Sequence, residues 1–270
     1  MDRTRIKEFY AHGLESDRLE TEVFKLEGIR TKEIIERYLH SNNLEILDIG
    51  GGAGYYSFWL QEKGHNVTLL DLSSENIELS KMRSETTGIS LKNYITGDAT
   101  ELQFLDEQFD MILLFGPLYH LTERVERIRA LTEAKRVLKP GGFLLAAVIS
   151  RYASLIDGFQ RDLVLDDCFF SLLIDDLKTG IHLNKTDNLE YFTTAYFHTI
   201  EEVIDEVKES GFEFQKLVPV ESFGWIAGDL SKKSNSASYT QKLLGVIEMV
   251  EQDKELLAIS PHIIAVARKT

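Results

Sequence analysis

A cluster of four glycines stands where an apolar segment, Leu47-Asp48-Ile49, meets a predicted helix. The glycines are Gly50, Gly51, Gly52 and Gly54. Glycine at a strand-to-helix turn permits positive φ angles and lets backbone amides approach a ligand closely. Tyr55 occupies the position of the third glycine in the dinucleotide fingerprint, and no Gly-Lys-Ser or Gly-Lys-Thr closes the turn as in a P-loop. The spacing therefore predicts a nucleotide-like ligand and disfavours a pyrophosphate.

Carboxylates follow the next two predicted strands. Asp71 ends the second strand about 20 residues after Gly50, where an acidic side chain can accept both hydroxyls of a ribose. Asp98, in Gly97-Asp98-Ala99, follows the third strand and can read an adenine edge together with a backbone amide. Two of the acids have structural alternatives, since Asp98 can form an Asx turn and Asp48 can cap the glycine loop.

Candidate acid–base residues follow the fourth predicted strand, where Tyr119 and His120 end Gly116-Pro117-Leu118-Tyr119-His120. Histidine titrates near neutrality and can take a proton from a hydroxyl or amine. His198 stands just before a predicted helix with Thr199 as its N-cap, and can reach the same cleft. The alternatives are a loop-tethering role for His120 and a packing role for His198. Tyr119, His120 and His198 are thus the candidate catalytic residues.

Short apolar runs alternate with amphipathic helical patterns over residues 44–149, which is typical of βαβ units around a parallel sheet. The predicted strands are residues 44–49, 66–71, 91–96, 109–114 and 142–149. Helices are predicted over residues 31–40 and 122–138, the second with Thr122 as its N-cap. A helix over 200–209 and strands over 212–220 and 262–268 are expected to append a hairpin to the sheet.

The chain is expected to form a single domain, residues 1–270, with two insertions. Residues 1–40 are predicted to form N-terminal helices that cover the ligand site, and residues 44–150 the ligand-binding core. Residues 151–190 carry mixed acidic and apolar helical segments with no good strand, which predicts a helical cap. Residues 224–255 form the second insertion, with a polar loop over 231–238. Both insertions are placed to overhang the ligand-binding edge of the sheet.

Two further segments complete an ordered series of motifs: residues 109–120, and residues 134–143 with Pro140-Gly141-Gly142. Together with the glycine loop, Asp71 and Asp98, this series resembles the class I S-adenosylmethionine-dependent methyltransferases. The resemblance implies an α/β, Rossmann-like, doubly wound sheet of seven mostly parallel strands with an antiparallel last strand and helical cap insertions. It also implies S-adenosyl-L-methionine as the cofactor.

The resemblance assigns cofactor contacts to particular residues. The glycine loop and Asp48 would hold the methionine part, Asp71 the ribose, and Asp98 the adenine. In the N-terminal helices, Tyr10 and Arg18 would reach the cofactor's carboxylate. The implied set is Asp48, Gly50, Gly51, Gly52, Gly54, Asp71, Leu72, Asp98, Ala99, Leu114, Phe115, Tyr10 and Arg18.

Departures from particular subfamilies narrow the methyl acceptor. Adenine and glutamine methyltransferases carry Asn/Asp-Pro-Pro-Tyr/Phe after the fourth strand, whereas this chain has Phe115-Gly116-Pro117, which disfavours base methylation. Catechol-type enzymes need metal-binding carboxylates near the ends of the fourth and fifth strands, but Ala147-Val148-Ile149-Ser150-Arg151 supplies none. No metal is therefore predicted. Glu221 and Trp225 are further acceptor-site candidates.

Composition bounds the partners. Lys and Arg number 30 against 44 Asp and Glu, and the net charge of −14 opposes a broad grip on nucleic acids or anionic membranes. A small neutral or cationic acceptor is expected, with no nucleic acid and no membrane. Cys168 is the single cysteine, which fits a cytoplasmic protein, either a monomer or a homodimer. The alternatives are an RNA or protein methyltransferase and a non-catalytic S-adenosylmethionine-binding module.

Overall fold

The computed structural model describes residues 24–186, 188–227 and 237–270. The predicted contacts of Tyr10 and Arg18 lie outside these residues. The strands within them are β1 (Glu45–Ile49), β2 (Asn66–Asp71), β3 (Asn93–Thr96), β4 (Phe109–Leu114), β5 (Leu138–Ser150), β6 (Ile181–His182), β7 (Ala195–His198), β8 (Glu213–Pro219) and β9 (His262–Arg268).

The α-helices in the described ranges surround this sheet. They are α1 (Lys25–Glu36), α2 (Tyr55–Glu62), α3 (Ser74–Thr87), α4 (Pro117–His120), α5 (Arg124–Val137), α6 (Ala153–Gln160), α7 (Asp167–Thr179), α8 (Ile200–Glu209), α9 (Ala237–Val250) and α10 (Lys254–Leu257). Short 3-10 helices cover Leu163–Leu165, Leu189–Tyr191 and Ser222–Ala227. No described helix has the length and apolar character that a membrane span needs.

The nine described strands form one sheet, in which seven follow the order β3-β2-β1-β4-β5-β9-β8 while β7 and β6 continue from the end of β5. Neighbours from β3 to β5 are parallel, and β9 runs antiparallel to both β5 and β8. The predicted Rossmann-like sheet with an antiparallel last strand is confirmed. Apolar side chains cover both of its faces, because Leu47 packs on the α5–α8 side while Ile46 packs on the α1–α2 side.

The cap contains a hairpin that the sequence did not predict. α6 and α7 are helical as expected, but β6 then pairs antiparallel with β7. Strand β7 in turn pairs parallel with Ile149 and Ser150, the last two residues of β5, beyond the end of β4. The prediction of a cap without strands is therefore wrong at residues 181–182. A two-residue strand has no periodicity for the sequence to reveal.

The second insertion contains a helix that the sequence also missed. Helix α9 begins at Ala237, so the predicted polar loop over 231–238 is wrong at its last two residues. Its side chains Leu243 and Ile247 pack against Leu26 of α1. The fully buried Arg30 donates to Glu251, just beyond α9, at 2.7 Å. These contacts join α9 to α1, and the paired residues Arg30 and Glu251 are 221 positions apart in the sequence.

Two helix boundaries also differ from the prediction. Helix α1 ends at Glu36 and not at residue 40. Helix α5 begins at Arg124 after an extended Glu123, and Thr122 is not its N-cap. Instead, the buried Arg127 donates a hydrogen bond to the carbonyl of Thr122 at 2.8 Å. This hydrogen bond engages the carbonyl of Thr122 with a side chain, and the helix begins two residues later, at Arg124.

Candidate active site

The glycine loop lies at the carboxyl ends of β1 and β4, and side chains at Gly50 and Gly51 would clash with their neighbours. Gly50 has φ of +76° and donates its N–H to the carbonyl of Leu70 at 2.7 Å. A Cβ at Gly50 would stand 2.6 Å from Cδ of Pro117, and one at Gly51 would stand 2.5 Å from the Asp48 carboxylate. Gly52 differs, because a Cβ there would meet nothing within 4 Å. The loop is therefore packed on one side and open at Gly52.

Asp48 is a buried carboxylate beneath the loop. Its Oδ2 accepts a hydrogen bond from Ser57 Oγ at 2.6 Å, while its Oδ1 has no partner among the described residues. Burial raises the pKa of Asp48 to about 7, against the effect of Ser57, and the nearby Asp71 raises it further. Oδ1 of Asp48 is therefore a buried oxygen without a partner among the described residues, on an acid that is half ionised near pH 7. Such an atom suits a ligand that is cationic or donates a hydrogen bond.

The resemblance to the S-adenosylmethionine-dependent methyltransferases predicts that the affinity for the cofactor depends on pH through this carboxyl. Below pH 7 Asp48 is largely neutral, and above pH 7 it is the anion that attracts an ammonium group. We expect the affinity for S-adenosylhomocysteine to increase between pH 6 and pH 8 and to level off above. Asp48→Asn should bind roughly tenfold more weakly at pH 8, the worth of one charge-assisted hydrogen bond, and lose this pH dependence. Isothermal titration calorimetry at several pH values measures both effects.

The unliganded protein supplies the control for that experiment. The folded chain binds the Asp48 proton more tightly than the unfolded chain, so this group's contribution to the free energy of unfolding falls as pH rises from 3.8 to about 7. Asp48→Asn removes that loss and should leave the variant at least as stable as the parent at pH 8. Unchanged cofactor affinity and an unchanged pH dependence in a folded Asp48→Asn protein would contradict the assignment.

Asp71 is held rigidly at the end of β2. Its Oδ1 accepts from the N–H of Ser73 and from Asn76 Nδ2, and its Oδ2 accepts from the N–H of Gly52 at 2.9 Å. Burial raises its pKa despite these three donors. The bond to Gly52 joins the second strand to the open part of the glycine loop, so the two predicted cofactor elements are adjacent.

The other residues predicted to contact the cofactor lie in different environments. Asp98 accepts from both the N–H and the hydroxyl of Thr100 at 2.8 Å, which is the Asx turn expected as its structural alternative. Leu72 is partly exposed beside Asp71. The side chains of Ala99 and Leu114 belong to the hydrophobic core, and Phe115 packs edge-on against Tyr56. Ala99 and Leu114 are thus limited to backbone contacts with a ligand.

His120 ends the short helix α4 and contacts the cap. Its Nδ1 lies 3.3 Å from the carbonyl of Thr194, and its ring stacks on Phe192 at 6.0 Å and meets Tyr119 edge-on at 4.8 Å. A carbonyl only accepts, so Nδ1 carries the hydrogen and the lone pair is on Nε2. Burial lowers the pKa of His120 to about 4, with the bond to Thr194 opposing. The ring is a neutral imidazole at pH 7.

His198 has the packing role given above as its alternative, and its catalytic role stays a prediction. It is 2% exposed, its Nε2 lies 3.3 Å from Glu206, and its ring meets Tyr196 edge-on. Burial lowers its pKa even though Glu206 opposes the change. Its β-strand position turns the ring toward α5 and α8, where Arg127 also pairs with Glu206. Thr199 is confirmed as the N-cap of α8.

Glu221 and Trp225 also have structural partners. Trp225 donates to the carbonyl of Ile259, and Glu221 lies 2.6 Å from Nδ1 of His262. Ligand atoms of Glu27, Glu221 and His262 all lie within 4.8 Å of one another, the one such group of three found in the described chain. The prediction that the site uses no metal stays a prediction.

Comparison with known proteins gives the family. A model of the methyltransferase domain matches residues 47–146. The ubiquinone/menaquinone biosynthesis C-methyltransferase of Ruegeria sp. (strain TM1040) is 33% identical over 176 residues, covering 63% of this chain and 67% of that protein. The chain belongs to the class I S-adenosylmethionine-dependent methyltransferases. It spans about two thirds of the length of such curated relatives, with 64% for the enzyme of Vibrio vulnificus (strain YJ016), which is 31% identical over 62% of this chain.

Solved structures share the fold of this methyltransferase. An S-adenosylmethionine-dependent methyltransferase from Methanosarcina mazei superposes with a TM-score of 0.60 at 24% identity, covering 87% of this chain and 96% of that one. The chain is accordingly an enzyme that uses S-adenosyl-L-methionine. The residues at the carboxyl edge fit that cofactor, because the orphaned Asp48 oxygen and the open position at Gly52 lie on the same loop.

Several residues of the site were missed from the sequence. Ser57 orients Asp48, Thr194 accepts from His120, and Phe192 stacks on it. Thr194 acts through a backbone carbonyl, which gives no side-chain signal.

Proposed function

We propose that this methyltransferase acts on a small organic acceptor and that His120 is its general base. The observation that carries the proposal is the neutral imidazole of His120, which has its lone pair on Nε2 and its Nδ1–H fixed on Thr194. Methyl transfer needs alignment above all and at most one group to remove a proton. Tyr119 and Phe192 supply aromatic surfaces around that base.

Binding of the cofactor is assigned to the glycine loop and the two acids beside it. S-adenosyl-L-methionine supplies an electrophilic methyl group on a sulfonium. Asp48 would hold the cationic amine with its orphaned oxygen, and Asp71, fixed by three donors, would accept the ribose hydroxyls. The N–H groups of the loop and the turn at Asp98 would complete the site. Ala99, Leu114 and Phe115 would contribute shape and backbone polar atoms.

A quinol or phenol is the acceptor class we favour. The Ruegeria relative is named for ubiquinone and menaquinone biosynthesis, and its similarity covers 63% of this chain. A phenolic hydroxyl can donate a hydrogen bond to Nε2 of His120 while the methyl group is transferred, and the rings of Tyr119 and Phe192 suit a planar acceptor. The net charge of −14 disfavours a polyanionic acceptor such as RNA.

The first test is thermal. S-adenosylhomocysteine at about a hundredfold excess over its Kd should stabilise the protein by ~2.7 kcal/mol and raise Tm by about 5 °C. NAD and ATP serve as controls and should leave Tm unchanged. The second test supplies methyl-labelled S-adenosylmethionine with hydroquinones and simple phenols, and in parallel with total tRNA and unfolded protein. Label in tRNA or protein but not in any small molecule would refute the acceptor class, and no transfer to anything would favour a binding module.

A further inference from the structure

The segment between β6 and β7 carries strain at Phe192. This non-glycine residue has φ of +66°, a left-handed conformation that side chains disfavour. The buried amide of Asn184 holds it there, because its Nδ2 donates to the carbonyl of Phe192 at 2.7 Å and to that of Asn188 at 2.9 Å. Its Oδ1 accepts from the N–H and hydroxyl of Thr186. The Asn184 side chain thus ties the backbone at Thr186, Asn188 and Phe192 together.

The strained residue places its ring between two imidazoles. Phe192 lies 6.0 Å from the ring of His120, nearly parallel at 28°, and 6.3 Å from the ring of His182 at 46°. Two residues further on, the carbonyl of Thr194 accepts from Nδ1 of His120. Phe192 therefore restrains the ring of His120 against its face, and Thr194 restrains the same ring in its plane.

His182 anchors the other side of Phe192. Its Nε2 donates to the carbonyl of Tyr191 at 2.6 Å, and its Nδ1 lies 2.8 Å from Oδ2 of Asp176, which also accepts from Ser154 Oγ. His182 and Asp176 are 2% and 0% exposed, so both ring nitrogens are committed inside the cap. His182 therefore cannot exchange protons with a substrate and serves as a fixed support.

We propose that Phe192 is a positioning residue for His120, held in its strained conformation by Asn184 and supported by His182, so that the cap decides which ring nitrogen of His120 carries the lone pair. The proposal rests on the proposed function in one respect, the role of His120 as the base. The cap and the loop that carries His120 are thereby coupled, because Asn184, Phe192 and Thr194 together fix the orientation of the His120 ring.

The test reads the tautomer of His120 directly and needs no acceptor. Protein labelled with ¹⁵N-histidine and saturated with S-adenosylhomocysteine gives long-range ¹H–¹⁵N correlations for its seven histidines, with His120 assigned from His120→Asn. We expect the parent to show one tautomer with hydrogen on Nδ1. Phe192→Leu and Asn184→Asp should show a mixture, with the two ring-nitrogen shifts moved toward each other.

A matched substitution in the same cap provides the control. Phe170→Leu changes an exposed ring on α7. It should leave the His120 signals unchanged. If Asn184→Asp does not fold, Phe192→Leu decides alone, and the parent spectrum is itself a test that requires no variant.

The outcomes separate this proposal from the proposed function. A parent His120 with hydrogen on Nε2, or an unchanged tautomer in folded Phe192→Leu, overturns the positioning role whatever the activity. Full methyl transfer by His120→Asn, together with a mixed tautomer in Phe192→Leu, removes the base but keeps the positioning of the ring.

Discussion

Gly50→Ala is expected to abolish cofactor binding and to destabilise the fold by about 3 kcal/mol or more. The new methyl group would stand 2.6 Å from Cδ of Pro117 and 2.8 Å from the carbonyl of Phe115, and neither can retreat, since both belong to the turn after β4. The positive φ of Gly50 adds conformational strain. Thermal or urea unfolding measures the stability, and a thermal shift with S-adenosylhomocysteine measures binding.

The chain offers a matched control for each part of that effect. Gly64, after α2, has φ of +89° and open space around a Cβ, so Gly64→Ala should cost only ~1 kcal/mol and leave binding intact. Gly52 has φ of +57° and equally open space, but it belongs to the glycine loop that is proposed to hold the cofactor. Gly52→Ala should therefore match Gly64→Ala in stability and fall below it in cofactor affinity. Equal losses of stability for Gly50→Ala and Gly64→Ala would show that crowding at Pro117 is unimportant.

His120→Asn should reduce kcat by about 10²–10⁴-fold, the usual range for loss of a general base. An asparagine amide can still donate to the carbonyl of Thr194, so the loop contact is preserved while the basic nitrogen is removed. Because the pKa of His120 is about 4, the parent's rate should be independent of this group between pH 6 and pH 8 and decline only as pH falls toward 4. Steady-state kinetics with the acceptor identified by label transfer gives the measurement.

Two further substitutions make the kinetic result specific. His198→Asn should lower the free energy of unfolding, because it disturbs the buried contact with Glu206, and should leave kcat near the parent value. Tyr119→Phe removes the neighbouring hydroxyl but keeps the ring contact with His120. A large loss of kcat in Tyr119→Phe with none in His120→Asn would transfer the base role to Tyr119.

Much of the fold was predictable because its signals are local. The strands at residues 66–71, 109–114 and 262–268 have the predicted bounds, since each is a short apolar run bounded by turns. The cofactor elements were predictable for a related reason: carboxyl ends of parallel strands meet at one edge, so Asp48 and Asp71 had to be neighbours. The capping box at the start of α8 is likewise a local signal, because it needs only the four consecutive residues that begin at Thr199.

The sequence by itself determined the class of enzyme and predicted the edge of the sheet that would hold its cofactor. Only the tertiary structure decided which histidine contacts the cap and which is buried against α8. His120 and His198 have similar local contexts, yet one meets the Thr194 carbonyl, 74 residues away, while the other is buried against Glu206. The strained backbone of Phe192 depends on a side chain eight residues earlier. Such contacts join backbone atoms and distant side chains, and hydrophobic periodicity carries no information about either.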